Sequence, residues 1–254
     1  MPELDKKISD WIKDYADKNK IKTLVVGISG GIDSSVVSTL CAMTGLKTLA
    51  VTMPIRQQAD QHDLSIKHGG WLEQNYNNVE HRVIKLDDVY HTFRDTVHEF
   101  NNERAWANTK SRLRMVTLYQ IAGSMRGIVV GTGNKVEDFG VGFYTKYGDG
   151  GVDISPIADL MKSQVYELAR GLKIDQSIID APPTDGLWED GRTDHDQLNG
   201  LTYDQLERAM VMHEKGHIAI GDDAKVLEEY IRIRAVSEHK MKPIPVFKMQ
   251  QNND

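Results

Sequence analysis

Short apolar runs rich in Val, Ile and Leu recur along this chain, and between them lie longer stretches whose apolar residues return every three or four positions. Residues 23–28 (TLVVGI), 48–53, 79–86 and 127–131 are of the first kind and predict buried parallel strands. Residues 33–43, 60–75, 87–100 and 103–124 are of the second kind and predict the helices that connect them. Strands alternating with helices form βαβ units, so the expected class is α/β: a Rossmann-like parallel sheet with helices on both faces. Near the N-terminus, Leu4, Ile8, Trp11, Ile12 and Tyr15 fall on one side with charges opposite, which predicts an amphipathic helix and no export signal. Further helices are expected over 158–172, 202–215 and 222–238. No internal repeat or linker interrupts the pattern, and the expectation is one domain over residues 1–254.

In open parallel sheets, ligands gather at the carboxyl ends of the strands. The first strand ends in Gly27-Ile28-Ser29-Gly30-Gly31-Ile32-Asp33-Ser34-Ser35, and helical character follows at once. Paired glycines let backbone N–H groups turn toward one point. Ser29, Ser34 and Ser35 add hydroxyl donors, and the start of the helix adds unpaired N–H groups and a positive dipole end. Such a loop cradles an anion, and phosphate is the expected one. Asp33 beside bound phosphates implies an intervening cation such as Mg²⁺. The kinase-type loop is excluded, because it needs a Gly-Lys-Ser/Thr ending and no lysine lies between Lys22 and Lys47. The dinucleotide fingerprint G-x-G-x-x-G is excluded too, because the chain reads G-I-S-G-G-I.

Two stretches read as loops. Residues 138–157 carry Gly140, Gly142, Gly148, Gly150 and Gly151 interleaved with Phe139, Phe143, Tyr144 and Tyr147, a mix suited to a mobile, ligand-contacting loop. Residues 180–199, with Pro182, Pro183, Gly186, Gly191 and many acids, read as a lid or as a segment disordered without ligand.

Composition narrows the partners. A net charge of −6 argues against a general nucleic-acid binder. Lys110, Arg112 and Arg114 are too few for an RNA track, yet enough for a small phosphorylated ligand. No apolar run approaches the roughly 20 residues that span a bilayer, so no membrane partner is expected. The lone Cys41 excludes internal disulfides and a cysteine metal cluster and fits a reducing, cytoplasmic setting.

The run Ser-Gly-Gly-x-Asp-Ser at 29–34 resembles the signature of the ATP pyrophosphatases. Two further motifs follow in order: Gly131-Thr132-Gly133-Asn134-Lys135-Val136-Glu137, then Thr145-Lys146-Tyr147-Gly148-Asp149-Gly150-Gly151-Val152-Asp153. The ordered set resembles the NAD synthetase family, and the likeness continues through Lys162, Pro183-Thr184 and His239-Lys240. The resemblance implies an adenine nucleotide alpha-hydrolase-like fold and an ATP-dependent ligation. In that reaction the carboxylate of nicotinic acid adenine dinucleotide attacks the α-phosphate of ATP, and ammonia then displaces AMP from the acyl-adenylate. It implies that Gly27, Ile28, Ser29, Gly30, Gly31, Ile32, Asp33, Ser34, Thr132, Lys162 and Thr184 contact ATP. Asp33 and Glu137 would hold Mg²⁺. Arg112, Lys146, Asp153, His239 and Lys240 would contact the dinucleotide. Lys162 would neutralise the phosphates, and Asp149 is the candidate to receive ammonium.

The resemblance further implies a homodimer with the dinucleotide site at the interface. The apolar side of 104–124 (Trp106, Leu113, Met115, Leu118) is either an interface helix or ordinary core. Between Glu137 and Lys146 the chain is one residue longer than the family's usual spacing, and Gly140 and Gly142 are the candidates to absorb the extra residue. The phosphate loop begins within thirty residues of Met1, which leaves no room for the amidase domain of glutamine-using relatives, so free ammonia is the expected nitrogen source. The rivals are another adenylating pyrophosphatase, of GMP-synthetase-like or tRNA-thiolating type, and a nucleotide sensor without chemistry.

Overall fold

A computed structural model describes residues 3–56, 59–188 and 190–249. Its sheet has four parallel strands in the order β3-β2-β1-β4: β1 (Thr23–Gly27), β2 (Lys47–Thr52), β3 (Val79–Val83) and β4 (Gly127–Val129). Val25 stands opposite both Leu49 and Val129. Neighbouring residues of a strand face opposite sides of the sheet, and the two cores follow from that alternation. Leu24 and Val26 pack into one with Ile8 and Ile12 of α1 (Leu4–Lys18), Val36 and Leu40 of α2 (Ile32–Met43), and Val165 of α6 (Lys162–Gly171). Val25 packs into the other with Trp106 and Ala122 of α5 (Glu103–Ser124) and Tyr90 of α4 (Asp87–Thr96).

Two sequence expectations are corrected and one open alternative is resolved. β3 is not a buried strand: it lies at the sheet edge, its residues are half-buried or exposed, and Val83 is 44% exposed. Trp11 does not share the buried face of α1; it is 47% exposed beside Tyr15, while Ile8 and Ile12 are buried. The apolar side of α5 resolves to core, with Trp106, Leu113 and Leu118 in the second cluster and Met115 close to Gly151.

A third cluster contains no strand residue. It joins Leu206 and Met210 of α9 (Tyr203–Lys215), Val226 and Tyr230 of α10 (Asp222–Met241), Leu198, and the ends of a π-helical turn at Val136–Val141. A π turn holds one residue more than the α-helical path between the same ends, which offers room for the longer spacing expected from the resemblance. Gly142 closes it at φ 64°, where a Cβ would also collide with Ser237. The 180–199 stretch folds against this part. It carries the one-turn α8 (Asp194–Gln197) and buries Leu198; Glu189 lies outside the described residues. The 17-residue α3 (Ala59–Asn75) and the one-turn α7 (Gln176–Ile179) complete the described elements. None of the described helices is long and apolar enough to cross a membrane.

Candidate active site

At the carboxyl end of β1 the chain turns through Gly30, at φ 93°, a backbone conformation that a side chain resists. Gly31 then starts α2. The loop is held by its own serines. The Ser29 N–H donates to Ser34 Oγ (3.2 Å) and the Gly31 N–H to Ser29 Oγ (3.1 Å). The hydroxyls of Ser34 and Ser35 donate to the Gly31 carbonyl at 2.9 and 3.0 Å. Ser35 is fully buried behind the loop, so its hydroxyl is not the ligand donor the sequence suggested. The loop opens onto a cavity of about 690 Å³.

The second strand-end loop meets the first through Asn134, which is fully buried. Its Nδ2 donates to Asp33 Oδ1 (3.1 Å), and its Oδ1 accepts the N–H groups of Val136 and Glu137, both at 3.1 Å. The sequence contained Asn134 in a motif but gave no hint of this bridging role. Lysine is mostly exposed on helices, but Lys162 opens α6 and is 3% exposed. Its Nζ lies 2.6 Å from Asp33 Oδ2 and 2.9 Å from Glu137 Oε1. Burial penalises every charge here. For Asp33 it outweighs the pull of Lys162, and the carboxyl rises above its ordinary value. For Glu137, burial is overcome by Lys162, Tyr203 and Asn134, and the carboxyl falls below it.

A layer of further polar groups surrounds this triad. The Tyr203 hydroxyl lies 2.6 Å from Glu137 Oε1 and 2.8 Å from Asp194 Oδ2. Asp138, half-buried in the cavity wall, is pushed up to about 8 by burial and then by Glu137, Asp149 and Asp33. Neither Tyr203 nor Asp138 was singled out from the sequence, because neither belongs to a local pattern. Among the described residues, no three His, Cys, Asp or Glu side chains are placed to hold a metal, so a cation here has two carboxylates and must look elsewhere for the rest.

Thr132 and Thr184 line the cavity together with every residue from Gly27 to Ser34. Thr184 is itself tied into its loop, donating to the Arg192 carbonyl and accepting the Gly186 N–H, each at 3.2 Å. Asp149 also lines the cavity. Its Oδ1 accepts the Ser111 hydroxyl (2.6 Å) and the Thr145 N–H (3.0 Å), which docks the 145–149 loop on α5. The other basic residues near α5 are spent mostly inside: Lys110 donates to the Leu187 carbonyl, and Arg114, in the cavity wall, donates to that of Met53.

The expected dinucleotide contacts are more scattered. Lys240 lines the cavity; Arg112, Lys146, Asp153 and His239 do not. Arg112 donates to the Lys146 carbonyl and Lys146 Nζ to that of His239 (3.3 Å), so these three form one connected group on the exterior. Lys240 donates to the carbonyls of Gly142 and Tyr144, while Arg234 donates to those of Phe139 and Gly140. The two cations of α10 thus clamp the end of the π turn. The Asp153 carboxylate accepts the Val129 N–H at 2.7 Å, beside an isolated parallel bridge between Val130 and Ile154.

The arrangement can bind a triphosphate at the glycine loop, hold a cation between two carboxylates, and present an ammonium to the charge of a transferred group. Comparison with known proteins gives the family. The family model for NAD synthase matches residues 4–244. A protein of Carboxydothermus hydrogenoformans named NH(3)-dependent NAD(+) synthetase is 35% identical, with 97% of each chain covered. A solved structure of NMN synthetase from Francisella tularensis is 33% identical and superposes with a TM-score of 0.87 over 97% of this chain and 98% of that one. At 23% identity, the NH3-dependent NAD synthetase of Campylobacter jejuni supports the fold alone, with a TM-score of 0.78 over 97% of this chain and 98% of that one.

Proposed function

The chain belongs to the NAD synthase family, and we propose on that basis that residues 1–254 form one catalytic domain that amidates a nicotinic acid nucleotide with free ammonia at the expense of ATP. Its chemistry is that of a ligase forming a C–N bond, and the favoured acceptor is nicotinic acid adenine dinucleotide, which makes the reaction the last step of NAD biosynthesis. One observation carries the reading: Asp33, Glu137 and Lys162 converge at the mouth of the glycine loop.

A carboxylate resists an amine because it has no leaving group. In the first half-reaction the acceptor's carboxylate oxygen attacks the α-phosphorus, and the bond to the bridging oxygen of pyrophosphate breaks. Ammonia then attacks the acyl carbon, and AMP departs with the electron pair of the C–O bond. In this reading the N–H groups of the loop from Gly27 to Ser34 bind the terminal phosphates. Lys162 meets the charge that builds on the departing pyrophosphate, and Thr132 and Thr184 hold ATP from either side. Asp33 Oδ2 and Glu137 Oε1 both reach one ammonium nitrogen, so one cation can meet both carboxylates. That pair suits Mg²⁺, which commonly takes one or two carboxylates and completes its shell with substrate phosphates. Bound there, Mg²⁺ would screen the negative charge of the triphosphate. Asp149, in the cavity wall, would draw ammonium and accept its proton.

Arg112, Lys146, Asp153, His239 and Lys240 are proposed for the acceptor. Arg112, Lys146 and His239 lie together outside the cavity, which accords with a site completed by a second copy of the chain in a homodimer. The apolar side of α5 is core, leaving its outward face at Arg112 and Val116 for such a contact. A cytoplasmic setting fits the buried, lone Cys41.

A second reading has its own observation. The solved relative named NMN synthetase stands at 33% identity, beside 35% for the NAD synthetase relative, so the acceptor can equally be the mononucleotide. The decisive assay measures pyrophosphate released from ATP and Mg²⁺ with each acceptor, with and without ammonium, and follows the amide product by mass. Ammonium-dependent NAD, with stoichiometric AMP and pyrophosphate, supports the first reading. Amidation of the mononucleotide alone selects the second. Bound ATP with turnover of neither would refute both acceptors. Equal turnover on ammonia-free glutamine would refute the nitrogen source.

A further inference from the structure

Glu137 is the second residue of the π turn, and its carboxylate meets Asn134 of its own stretch and the Lys162 ammonium. A third group comes from 66 residues away. Tyr203 is the first residue of α9, whose start is set rigidly: Thr202 caps it through the Gln205 N–H, and Gln205 returns a bond to the Thr202 N–H. From that fixed point the phenol reaches Glu137 Oε1 at 2.6 Å, the same oxygen that accepts from Lys162. Its ring face lies 4.7 Å from the Lys162 ammonium, a favourable cation–π contact. One side chain therefore touches both partners of the central ion pair.

The phenol is itself held. Its oxygen is 2.8 Å from Asp194 Oδ2, and a single O–H cannot donate to two carboxylates. Both contacts are hydrogen bonds when Asp194 carries a proton and donates it to the phenol oxygen, leaving the O–H for Glu137. The surroundings of Asp194 agree: it is 5% exposed, its Oδ1 has no partner, and burial followed by the charge of Glu137 pushes its carboxyl up to about 7. Asp194 also anchors the segment that carries Thr184, since its N–H donates to the Pro183 carbonyl at 3.0 Å.

We propose that Tyr203, oriented by Asp194, is a positioning residue that aims the Glu137 carboxylate and backs the Lys162 ammonium, thereby coupling the 183–198 segment to the cation-and-phosphate end of the site. It rests on the proposed function in one respect only, that Glu137 is a cation ligand. Tyr203 touches no reacting atom, so its effect should fall on cation dependence and not on the acceptor.

The test compares Tyr203→Phe, which keeps the ring and loses the hydroxyl, with Tyr203→Leu, which loses both. Mn²⁺ is titrated by electron paramagnetic resonance into the full chain with a non-hydrolysable ATP analogue, and pyrophosphate release is measured against Mg²⁺ and each acceptor. Tyr203→Phe should weaken Mn²⁺ binding roughly tenfold and raise the Mg²⁺ needed for half-maximal rate to match. The acceptor KM should stay within about twofold and Tm within a few degrees. Tyr203→Leu should further lower the rate at saturating Mg²⁺, because Lys162 loses its support. Asp194→Ala should shift Mn²⁺ binding in the same direction as Tyr203→Phe, and Asp194→Asn, which keeps a neutral donor, should rescue most of that loss. Unchanged Mn²⁺ affinity in Tyr203→Phe overturns the proposal, as does a loss confined to Tm or to acceptor KM. Failure of Asp194→Asn to rescue overturns the role of Asp194. A wild-type chain that turns over neither acceptor sinks the proposed reaction, while the Mn²⁺ titration still decides the role of Tyr203.

Discussion

The glycine loop and the π turn border the same cavity, and they are built by opposite means. Hydrogen bonds among Ser29, Gly31, Ser34 and Ser35 span two to five residues. From Phe139 to Asp149 the chain is held by Asn108, Ser111, Arg234 and Lys240, at separations of 37 to 98 residues. The loop rests on the sheet and its two cores; the turn rests on a cluster that contains no strand residue. A site built this way can keep its phosphate chemistry fixed while the part beyond it is retuned by substitutions far away in sequence. That difference bears on the acceptor, where relatives of two names stand at nearly equal identity.

The comparison breaks most sharply at Asp33, the one residue of the local loop that reaches across to the other half. Asp33→Asn should lower kcat at least a thousandfold, about 4 kcal/mol of transition-state stabilisation. Tm should change little, since the loop's own hydrogen bonds remain; near-normal turnover at saturating Mg²⁺ would refute the cation role.

Next in size is His68, buried behind α2 with its Nε2 2.9 Å from Ser38 Oγ. Burial first, and His81 to a lesser degree, bring the imidazole down from 6.5 to about 4, against small upward pulls from Ser35 and Asp175. The unfolded chain takes up this proton first, so stability is full above about pH 6.5 and is lost as pH falls toward 4. At about 1.4 kcal/mol per unit the loss approaches 3 kcal/mol. Urea midpoints across that range should fall more steeply for wild type than for His68→Gln, and equal slopes would exclude His68 as the source.

On the other side, Arg234→Met strips the donors from the carbonyls of Phe139 and Gly140. Phe139 is exposed, but the carbonyl of buried Gly140 left without a donor costs about 1–3 kcal/mol. The expected result is a lower urea midpoint and an acceptor KM raised roughly tenfold, with ATP affinity by calorimetry within about twofold. An equal loss of ATP affinity would mean that the two halves are not separable. The smallest effect belongs to Ser29→Ala, which removes the acceptor of the Gly31 N–H. One neutral hydrogen bond is worth about 1 kcal/mol, so ATP should bind roughly fivefold more weakly.

The same contrast explains what the sequence revealed. Gly30, Gly31 and Asp33 were legible because a strand, a turn and a helix start are local events, and the chemistry of that turn follows from its residue types. The alternation of strands and helices gave the sheet for the same reason. It did not distinguish edge from centre: Val79 and Val83 carry the β-branched signature of a buried strand, yet position in the sheet decides their exposure. Lys162 was legible only through resemblance, because nothing in its own helix shows that two carboxylates await it. Asn134, Tyr203 and Arg234 find partners 101, 66 and 95 residues away, and no local period encodes such a pairing.

The π turn also changes how this protein must be aligned. A helix with one residue inserted as a π turn keeps both of its ends in place, so Glu137 and Gly142 stay put while the count between them grows by one. Against a relative one residue shorter between these ends, positions up to Glu137 would correspond at one offset and positions from Gly142 onward at another. A chimaera joined within 138–141 would inherit a frame error of one residue, and each side chain near the seam would be turned by about a hundred degrees around the helix. Crossovers placed before Glu137 or after Gly142 avoid it, which makes this short turn the natural seam for exchanging acceptor-side segments between relatives.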